Sequence, residues 1–392
     1  MHARPMTRNG WTLAGLGAAC AAAAAAADPP AARGAAAQDW QAFVLVGGLL
    51  LVGLVAEEDR LFASAGESLA ATRGGRRALF AWSIGLVAVV TAVLNLDTSV
   101  AFVTPVLVYA ARRRGADEEP VLLVALLVSN AASLLLPGAN LTNLIVLGHL
   151  HLSGARFAAR MGPAWIVAIL VTAGVLAVAT RDERGAASAP AASPPRSLGD
   201  RERRSVVGLP AVAAAAVLTL ALPSPAVPVA GVGVVAACVR AAGVRRQGRA
   251  PLEELRRLAT SLGLPVLAGL FGVAVGVGSL GRAWAGPAHL LGHLGSWGTA
   301  GMGALASVVL NNLPAATLLA AHRPAHPFSL LVGLDIGPNL FVTGSLAWFL
   351  WARAARSAGS RPPVARATRV GLIAAPAAMA GALAMLALMG LR

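Results

Sequence analysis

The chain has 392 residues, of which 57% are hydrophobic and only 12% are charged, and its mean hydropathy is +0.70. Soluble domains carry roughly a quarter charged residues, so this composition excludes an ordinary soluble protein and indicates a protein of the cell membrane. The net charge of +15 does not indicate nucleic-acid binding, because the arginines lie in short segments between apolar stretches. Basic segments beside membrane spans are what the positive-inside rule predicts.

The N-terminal segment, residues 1–39, has two interpretations. Arg4 and Arg8 precede an alanine-rich run over residues 11–27, and Asp28, Pro29 and Pro30 follow it. A basic start and an apolar run are typical of a signal peptide. A weak first span that is retained as an anchor explains the same residues equally well.

Apolar stretches long enough to cross a bilayer, about 17 to 25 residues, recur along the rest of the chain. We predict uninterrupted spans near 41–56, 78–94, 120–137, 162–180, 205–222, 225–239, 262–280, 297–310 and 367–390. Polar residues interrupt four further apolar sections, at 95–111, 138–150, 313–321 and 328–351. Together these stretches predict an all-α polytopic, multi-pass membrane protein with about 10 transmembrane segments.

Two polar segments divide the chain. Residues 181–204 are rich in Pro, Ala and Ser and carry mixed charge, which is typical of a solvated linker. Two short spans at 205–239 separate this linker from a basic loop at 240–261. Because two crossings return the chain to the same side, both polar segments are expected in the cytoplasm. The division leaves a first membrane repeat at 40–180 and a second at 262–392.

The two repeats carry polar interruptions in the same order. The first contains "NLDT" (95–98) and then "SLLLPGANLTN" (133–143), and the second contains "NNLP" (311–314) and then "DIGPNLFVTGS" (335–345). A helix that breaks in protein-enclosed space at membrane depth frees backbone groups that can face a substrate or an ion. Paired interruptions in two halves therefore indicate the midplane site of a secondary transporter. For any one of them, a Pro-kinked helix bonded to its neighbour is the alternative.

Two acids lie within these interruptions, Asp97 and Asp335. A carboxylate at membrane depth is costly and is a functional-site hypothesis by default, here as a proton carrier or a cation ligand. A structural acid bonded to a helix N-terminus is the alternative.

The sequence offers little for metal binding or catalysis. His289 and His293 are four residues apart, but no third suitable ligand lies nearby, and only two cysteines, Cys20 and Cys238, are present. We find no catalytic triad and no nucleotide-binding motif, so we expect neither an enzyme nor a bound cofactor or metal.

Four segments resemble the arsenical-pump membrane protein family (ArsB): "LDTSVAFVTP" (96–105), "ASLLLPGANLTNLIV" (132–146), "VVLNNLPAATLL" (308–319) and "LDIGPNLFVTGSLAWFLW" (334–351). More broadly they resemble the ion-transporter superfamily, which also holds NhaD-type sodium/proton antiporters and citrate or dicarboxylate carriers. The order and spacing match over roughly residues 40–390. The chain departs from the arsenical pumps at Asn130, where they usually carry an acid, and at Asn339, where they carry a lysine.

The resemblance implies two inverted repeats, each with a re-entrant hairpin, in a homodimer whose transport domain moves like an elevator. By this analogy one hairpin tip is lined by Asn140, Thr142 and Asn143. The other is lined by Gly337, Asn339, Thr343, Gly344 and Ser345. The adjoining helix breaks hold Asp97, Asn311 and Asn312, and the same motifs add Thr98 and Ser133 to the predicted substrate and ion site.

The function expected first is export of arsenite or antimonite driven by the proton gradient. Asn, Ser and Thr side chains can bond the uncharged arsenite trihydroxide, whereas two cysteines cannot form a cage of three thiolates. One alternative is a sodium- or proton-coupled carrier of citrate, dicarboxylate or sulfate, since helix N-termini suit anions. A sodium/proton antiporter that uses Asp97 and Asp335 is another. An ATPase of the arsenical type, if it is a partner, would dock on 181–204 and 240–257.

Overall fold

The computed structural model describes residues 7–148, 150, 152–181, 207–245 and 250–391. All regular structure in these ranges is helical. Seven of the described helices are long and apolar enough to cross a membrane, and three shorter apolar helices accompany them. The predicted linker at 181–204 lies, beyond Arg181, outside the described residues, as do residues 246–249 of the predicted basic loop.

Within the described residues, the first part of the chain forms ten helices, two π-helical turns and one 3-10 turn. In chain order they are α1 Thr7–Ala27, α2 Pro29–Glu58, α3 Leu61–Ala71, α4 Arg76–Val93, α5 Leu96–Thr98, the first π turn Ser99–Val103, α6 Thr104–Arg113, α7 Glu119–Leu123, the second π turn Val124–Val128, α8 Ser129–Ala132, the first 3-10 turn Pro137–Ala139, α9 Leu141–Leu147 and α10 Gly154–Ala179.

The second part of the chain, over its described residues 207–245 and 250–391, forms ten helices and one 3-10 turn. They are α11 Gly208–Ala221, α12 Ala226–Arg245, α13 Pro251–Leu262, α14 Leu264–Ala283, α15 Gly286–His293, α16 Ser296–Leu310, α17 Asn312–Leu319, α18 Pro327–Ile336, the second 3-10 turn Gly337–Leu340, α19 Leu346–Ser357 and α20 Val364–Leu388.

Each predicted uninterrupted span overlaps helix within the described residues, which confirms the all-α membrane fold, although the span at 120–137 is helical only to Ala132 before the first 3-10 turn. Two predicted boundaries fall differently. The division at residue 39 lies inside α2, because the chain turns earlier, at Asp28, whose side chain accepts a hydrogen bond from Ala31 N. The predicted basic loop at 240–261 is helical at both ends, since α12 continues to Arg245 and α13 begins at Pro251.

One group of long helices is built on α2. Helices α11, α12 and α14 pack along α2, and α1 packs along α14. The approach of α1 to α14 is close because glycines face it: a Cβ on Gly269 would collide with the backbone of Leu13, and one on Gly272 with that of Gly17. Small residues that let helix backbones approach are the usual means of packing in lipid, where the hydrophobic effect contributes little.

The interrupted helices form the centre of the molecule. Residues 121–128 of α7 and the second π turn are each at most 2% exposed, as expected of a helix that is apolar on all sides. Helix α9 packs against α17, and α19 packs against α6 and the first π turn. The second part of each half's discontinuous helix, α9 or α19, thus packs against the other half. The two inverted repeats expected from sequence remain a prediction. The two pairings are equivalent, because each joins this second part to the helix that follows the first interruption of the other half.

The fold-back points differ from those expected. Helix α17 packs back alongside α16 around Asn311, and the first π turn contacts α4 again after the break at Asn95. The segments at 133–147 and 335–351, expected as hairpin tips, are instead discontinuous helices whose second parts, α9 and α19, pack elsewhere. Asn311 has a φ of 78° and a ψ of 149°, a backbone conformation that residues other than glycine rarely adopt, and the sharp reversal falls there.

Candidate functional site

Asp335 is the centre of a buried polar cluster between the two halves. It lies near the end of α18 and is 0% exposed. Its Oδ1 accepts hydrogen bonds from Thr142 Oγ1 at 2.6 Å and from Asn140 Nδ2 at 2.9 Å. Its Oδ2 has no hydrogen-bond partner among the described residues. The side chains of Ser133 and Asn143 flank the same carboxylate. The acid of one half is therefore held by amides and hydroxyls of the other.

Local sequence explains why these donors point inward. Helix α8 ends at Ala132. It does not continue beyond Leu136, because Leu136 is extended and Pro137 lacks an N–H. Asn140 then caps α9, its Oδ1 accepting from Thr142 N at 3.4 Å. Asn143 Nδ2 donates to the carbonyls of Ser133 and Leu136 at 2.7 and 3.1 Å, which satisfies oxygens that the break has freed. The interruption is stabilised by its own side chains.

A pair of asparagines, Asn130 and Asn339, extends the cluster. Asn130 Nδ2 donates to Asn339 Oδ1 at 2.8 Å, and Asn339 Nδ2 donates to Leu127 O at 2.9 Å. Sequence reasoning noted Asn130 only as a departure from the arsenical pumps and missed it as a site residue. A positional signal was available: Asn130 lies ten residues before Asn140, the cap of α9, as Asp335 lies ten residues before Ser345, which precedes α19.

Three buried oxygens in this cluster accept no hydrogen bond from any residue that the structure describes. They are Asp335 Oδ2, Asn130 Oδ1 and Asn143 Oδ1. The amide orientations follow from the partners, because the nitrogens of Asn143 and Asn339 face backbone carbonyls. Buried acceptors without partners are rare and call for a specific explanation. Oxygen atoms of this kind are the ligands that hard cations prefer. We call these three atoms the acceptor group.

A second set of buried atoms has free hydrogens to donate. The first π turn and α5 contact α19, and α5 also contacts α8. Four atoms at these elements lack a partner among the described residues: Asn95 Nδ2, Thr98 Oγ1, Ser99 Oγ and Ser345 Oγ. Asn95 Oδ1 already accepts from Thr98 N at 2.7 Å, which leaves its Nδ2 to donate. We call these four atoms the donor group; Ser99 and Asn95 were not among the predicted site residues.

The remaining predicted site residues on the second interruption have structural contacts. Asn311 Nδ2 donates to Thr343 O at 3.1 Å, Thr343 Oγ1 donates to Val308 O at 2.6 Å, and Asn312 N donates to Gly344 O at 2.9 Å. These bonds hold the segment before α19 against the turn at Asn311. Gly337 allows close packing, because a Cβ there would lie 2.5 Å from Ala304 Cα.

Asp97 is separate from Asp335 in its bonding. It lies on α5, is half-buried, and makes no hydrogen bond or ion pair with any described residue. The structure places it beside the donor group and does not connect it to the acceptor group by hydrogen bonds. No group of three or more His, Cys, Asp or Glu side chains that could hold a metal ion occurs among the described residues. The pair His289 and His293 therefore stays without further ligands there.

A family model described as a citrate transporter, CitMHS, matches residues 7–333. Among solved structures, the fold resembles that of the YdaH transporter of Alcanivorax borkumensis, whose crystal structure is described as revealing an unusual topology. That structure has 16% sequence identity, a TM-score of 0.51, and a match covering 88% of this chain and 85% of the other. At this identity the likeness concerns the fold. A comparison with curated proteins gave no match. The family match ends at residue 333, two residues before Asp335, so the interruption at 335–345 lies outside it and is described from the structure alone.

Proposed function

The chain belongs to the CitMHS family of citrate transporters and is a multi-pass secondary transporter, and we propose that it carries a carboxylate anion of the citrate class together with a coupling cation. The observation that supports this most is that seven of the unpartnered buried atoms among the described residues lie at the interruptions, three of them in the acceptor group and four in the donor group. A cation and an anion that bind side by side need this arrangement.

The acceptor group suits the cation. Asp335 Oδ2 supplies the charge, and the amide oxygens of Asn130 and Asn143 supply neutral ligands. Sodium would bind all three directly, whereas a proton would bind the carboxylate alone. Both coupling ions fit these residues. They differ in that sodium would use the amide oxygens of Asn130 and Asn143 as ligands, whereas a proton would not.

The donor group suits the anion. Two hydroxyls and an amide of the first half belong to α5, its N-cap and the first π turn, and α5 and this π turn contact α19, whose N-terminal N–H groups carry partial positive charge. Every donor in this group is neutral, so a bound cation would supply the opposing charge. Coupled transport of anion and cation follows from that requirement.

Arsenite export, the function expected first from sequence, has less support, because the family description names citrate. The same hydroxyls and amides could bond a neutral trihydroxide, so arsenite belongs in the test. The homodimer and an ATPase that docks on 181–204 and 240–257 also remain predictions.

The test is uptake into proteoliposomes that contain the purified chain. Labelled citrate, succinate, sulfate and arsenite are offered in turn under an imposed sodium gradient, proton gradient, or neither. We expect citrate or succinate uptake that depends on one gradient and is lost in Asp335→Asn, whereas Thr317→Val, whose hydroxyl donates to Pro314 O, keeps it. Arsenite movement without carboxylate movement would contradict the proposal.

A further inference from the structure

A groove of about 210 Å³ lies between the end of α10 and the beginning of α20. It is lined by Val175, Ala179, Arg366, Arg369, Val370 and Ile373. Both helices are candidate membrane spans, and the groove lies where one ends and the other begins. It therefore lies at the level where a bilayer changes from acyl chains to headgroups.

The polar end of the groove carries two arginines with different roles. Arg366 is fixed in place: its Nη2 donates to Ala179 O at 2.8 Å, and its Nε pairs with Glu119 at 2.6 Å. Arg369 is exposed and has no partner among the described residues. The two are three positions apart on α20, so their side chains lie on the same face. The guanidinium of Arg366, which its partners hold in place, and the exposed guanidinium of Arg369 thus line the same groove.

The rest of the groove is apolar. Val175 of α10 and Val370 and Ile373 of α20 form its wall, and Ile373 is 65% exposed. An apolar surface on a membrane span is solvated by acyl chains, whereas an arginine at its end needs water or an anion. A ligand that matches both parts has a negatively charged head and a hydrocarbon tail.

We propose that this groove binds an anionic phospholipid, with its phosphate on Arg369 and Arg366 and an acyl chain along Val175 and Ile373. Basic pockets between membrane helices are recognised sites for anionic headgroups. A free phosphate ion would use only the arginine end and leave the apolar wall without a role. Because Arg366 also contacts α10 and α7, the bound lipid would join three helices around the interrupted segments. This inference does not depend on which substrate is carried.

The test compares lipid binding by the full chain after delipidation in detergent. Phosphatidylglycerol, phosphatidylcholine and inorganic phosphate are added separately, and the bound lipid is counted by native mass spectrometry alongside the shift in Tm. The variants are Arg369→Gln and, as a matched control, Arg77→Gln, an exposed arginine at the beginning of α4 that does not line the groove. A third variant, Glu119→Gln, removes the carboxylate that neutralises Arg366.

We expect phosphatidylglycerol to bind and raise Tm more than phosphatidylcholine does. Arg369→Gln should bind it about fivefold more weakly, the effect of one arginine near an anionic surface. Arg77→Gln should match the unaltered chain, and Glu119→Gln should bind it more tightly. Equal binding of the two lipids, or no loss in Arg369→Gln, would overturn the proposal. The same Tm shift with inorganic phosphate alone would show a phosphate-ion site and would also overturn it.

Discussion

Asn130 and Asn339 are bonded to each other across the two halves, with Asn130 Nδ2 lying 2.8 Å from Asn339 Oδ1 although 209 positions separate them. Asn339 also donates to Leu127 O at 2.9 Å, so it connects the second 3-10 turn to the second π turn as well as to α8. Together with the bonds of Asp335 to Asn140 and Thr142, this pair joins the two interrupted segments into one hydrogen-bonded unit. We infer that the two segments move together.

Replacement of Asn339 with Leu should destabilise the protein by about 1–3 kcal/mol, because Leu127 O and the Asn130 amide lose their partners in a buried position. Replacing Asn130 and Asn339 together should cost less than the sum of the two single changes, since each single variant already breaks their bond. Thermal unfolding in detergent measures all four proteins of this cycle. Gln41→Leu, at an exposed position, serves as control and should change little. Strict additivity would mean that the pair contributes no coupling.

Thr142→Val removes the 2.6 Å hydrogen bond to Asp335 Oδ1 and leaves the Asn140 bond in place. Hydrogen bonds to charged groups contribute about 1.5–3 kcal/mol, and this one stabilises the ionised, cation-free carboxylate, so we expect its loss to strengthen cation binding and to lower the half-saturating concentration of the coupling cation by up to about tenfold. The measurement is uptake of the transported anion as a function of cation concentration. Thr317→Val is the matched control, because its hydroxyl bonds Pro314 O at 3.0 Å. Equal cation dependence in both variants would remove Thr142 from the cation site.

The sequence predicted the polar interruptions because they are local: proline, glycine and asparagine in an apolar run signal a break wherever they occur. It could not predict which breaks reverse the chain. That depends on single conformations such as the positive φ of Asn311 and on which helix receives α9 or α19. Family analogy assigned the hairpins to the segments at Asn140 and Gly337, and the structure has the fold-backs at Asn95 and Asn311 instead.

The chemistry of the site was predictable only in part. Asp335, Asn140, Thr142 and Asn143 are recognisable because polar residues are rare in membrane-depth sequence. Which of their atoms remain unpartnered depends on contacts between residues far apart in the chain, and composition carries no signal for that. Ser99 was missed for this reason: it looks like an ordinary polar helix residue until its unpartnered hydroxyl is found, whereas Asn130 could have been found from its position ten residues before Asn140.

Gly371 of α20 faces the second 3-10 turn so closely that a Cβ there would collide with the carbonyl oxygen of Asn339. Gly371→Ala should therefore push α20 away from the site and destabilise the protein by about 1–3 kcal/mol, the usual range for overpacking. Gly174→Ala on α10 is the matched control, since a Cβ there meets nothing within 4 Å. It should be neutral or stabilise the helix by up to about 1 kcal/mol. Equal Tm values for the two variants would show that α20 has room to shift.

A second polar contact lies between the long helices and the interrupted ones. Gln38 of α2 donates through Nε2 to Ile145 O at 3.1 Å and to Ala320 O at 2.9 Å, and so connects α2 to the ends of α9 and α17. Its Oε1 accepts from Arg282 Nη2 at 2.5 Å. Arg282 also interacts electrostatically with Asp39, which is 2% exposed. The position of Gln38, and with it the contact between the two sets of helices, therefore depends on Arg282, a half-buried cation that interacts with the buried Asp39.

Arg282→Met should destabilise the protein by about 1–3 kcal/mol, because it leaves the buried carboxylate of Asp39 without the nearby cation that favours its charged form. The double variant Asp39→Leu, Arg282→Met removes both charges, and we expect it to recover most of the lost stability. Thermal unfolding in detergent measures both, with Arg156→Met, an exposed arginine at the beginning of α10, as control for the loss of an arginine. A double variant no more stable than Arg282→Met would mean that the bonds of Arg282 to Gln38 and to backbone carbonyls, and not the charge of Asp39, account for its contribution.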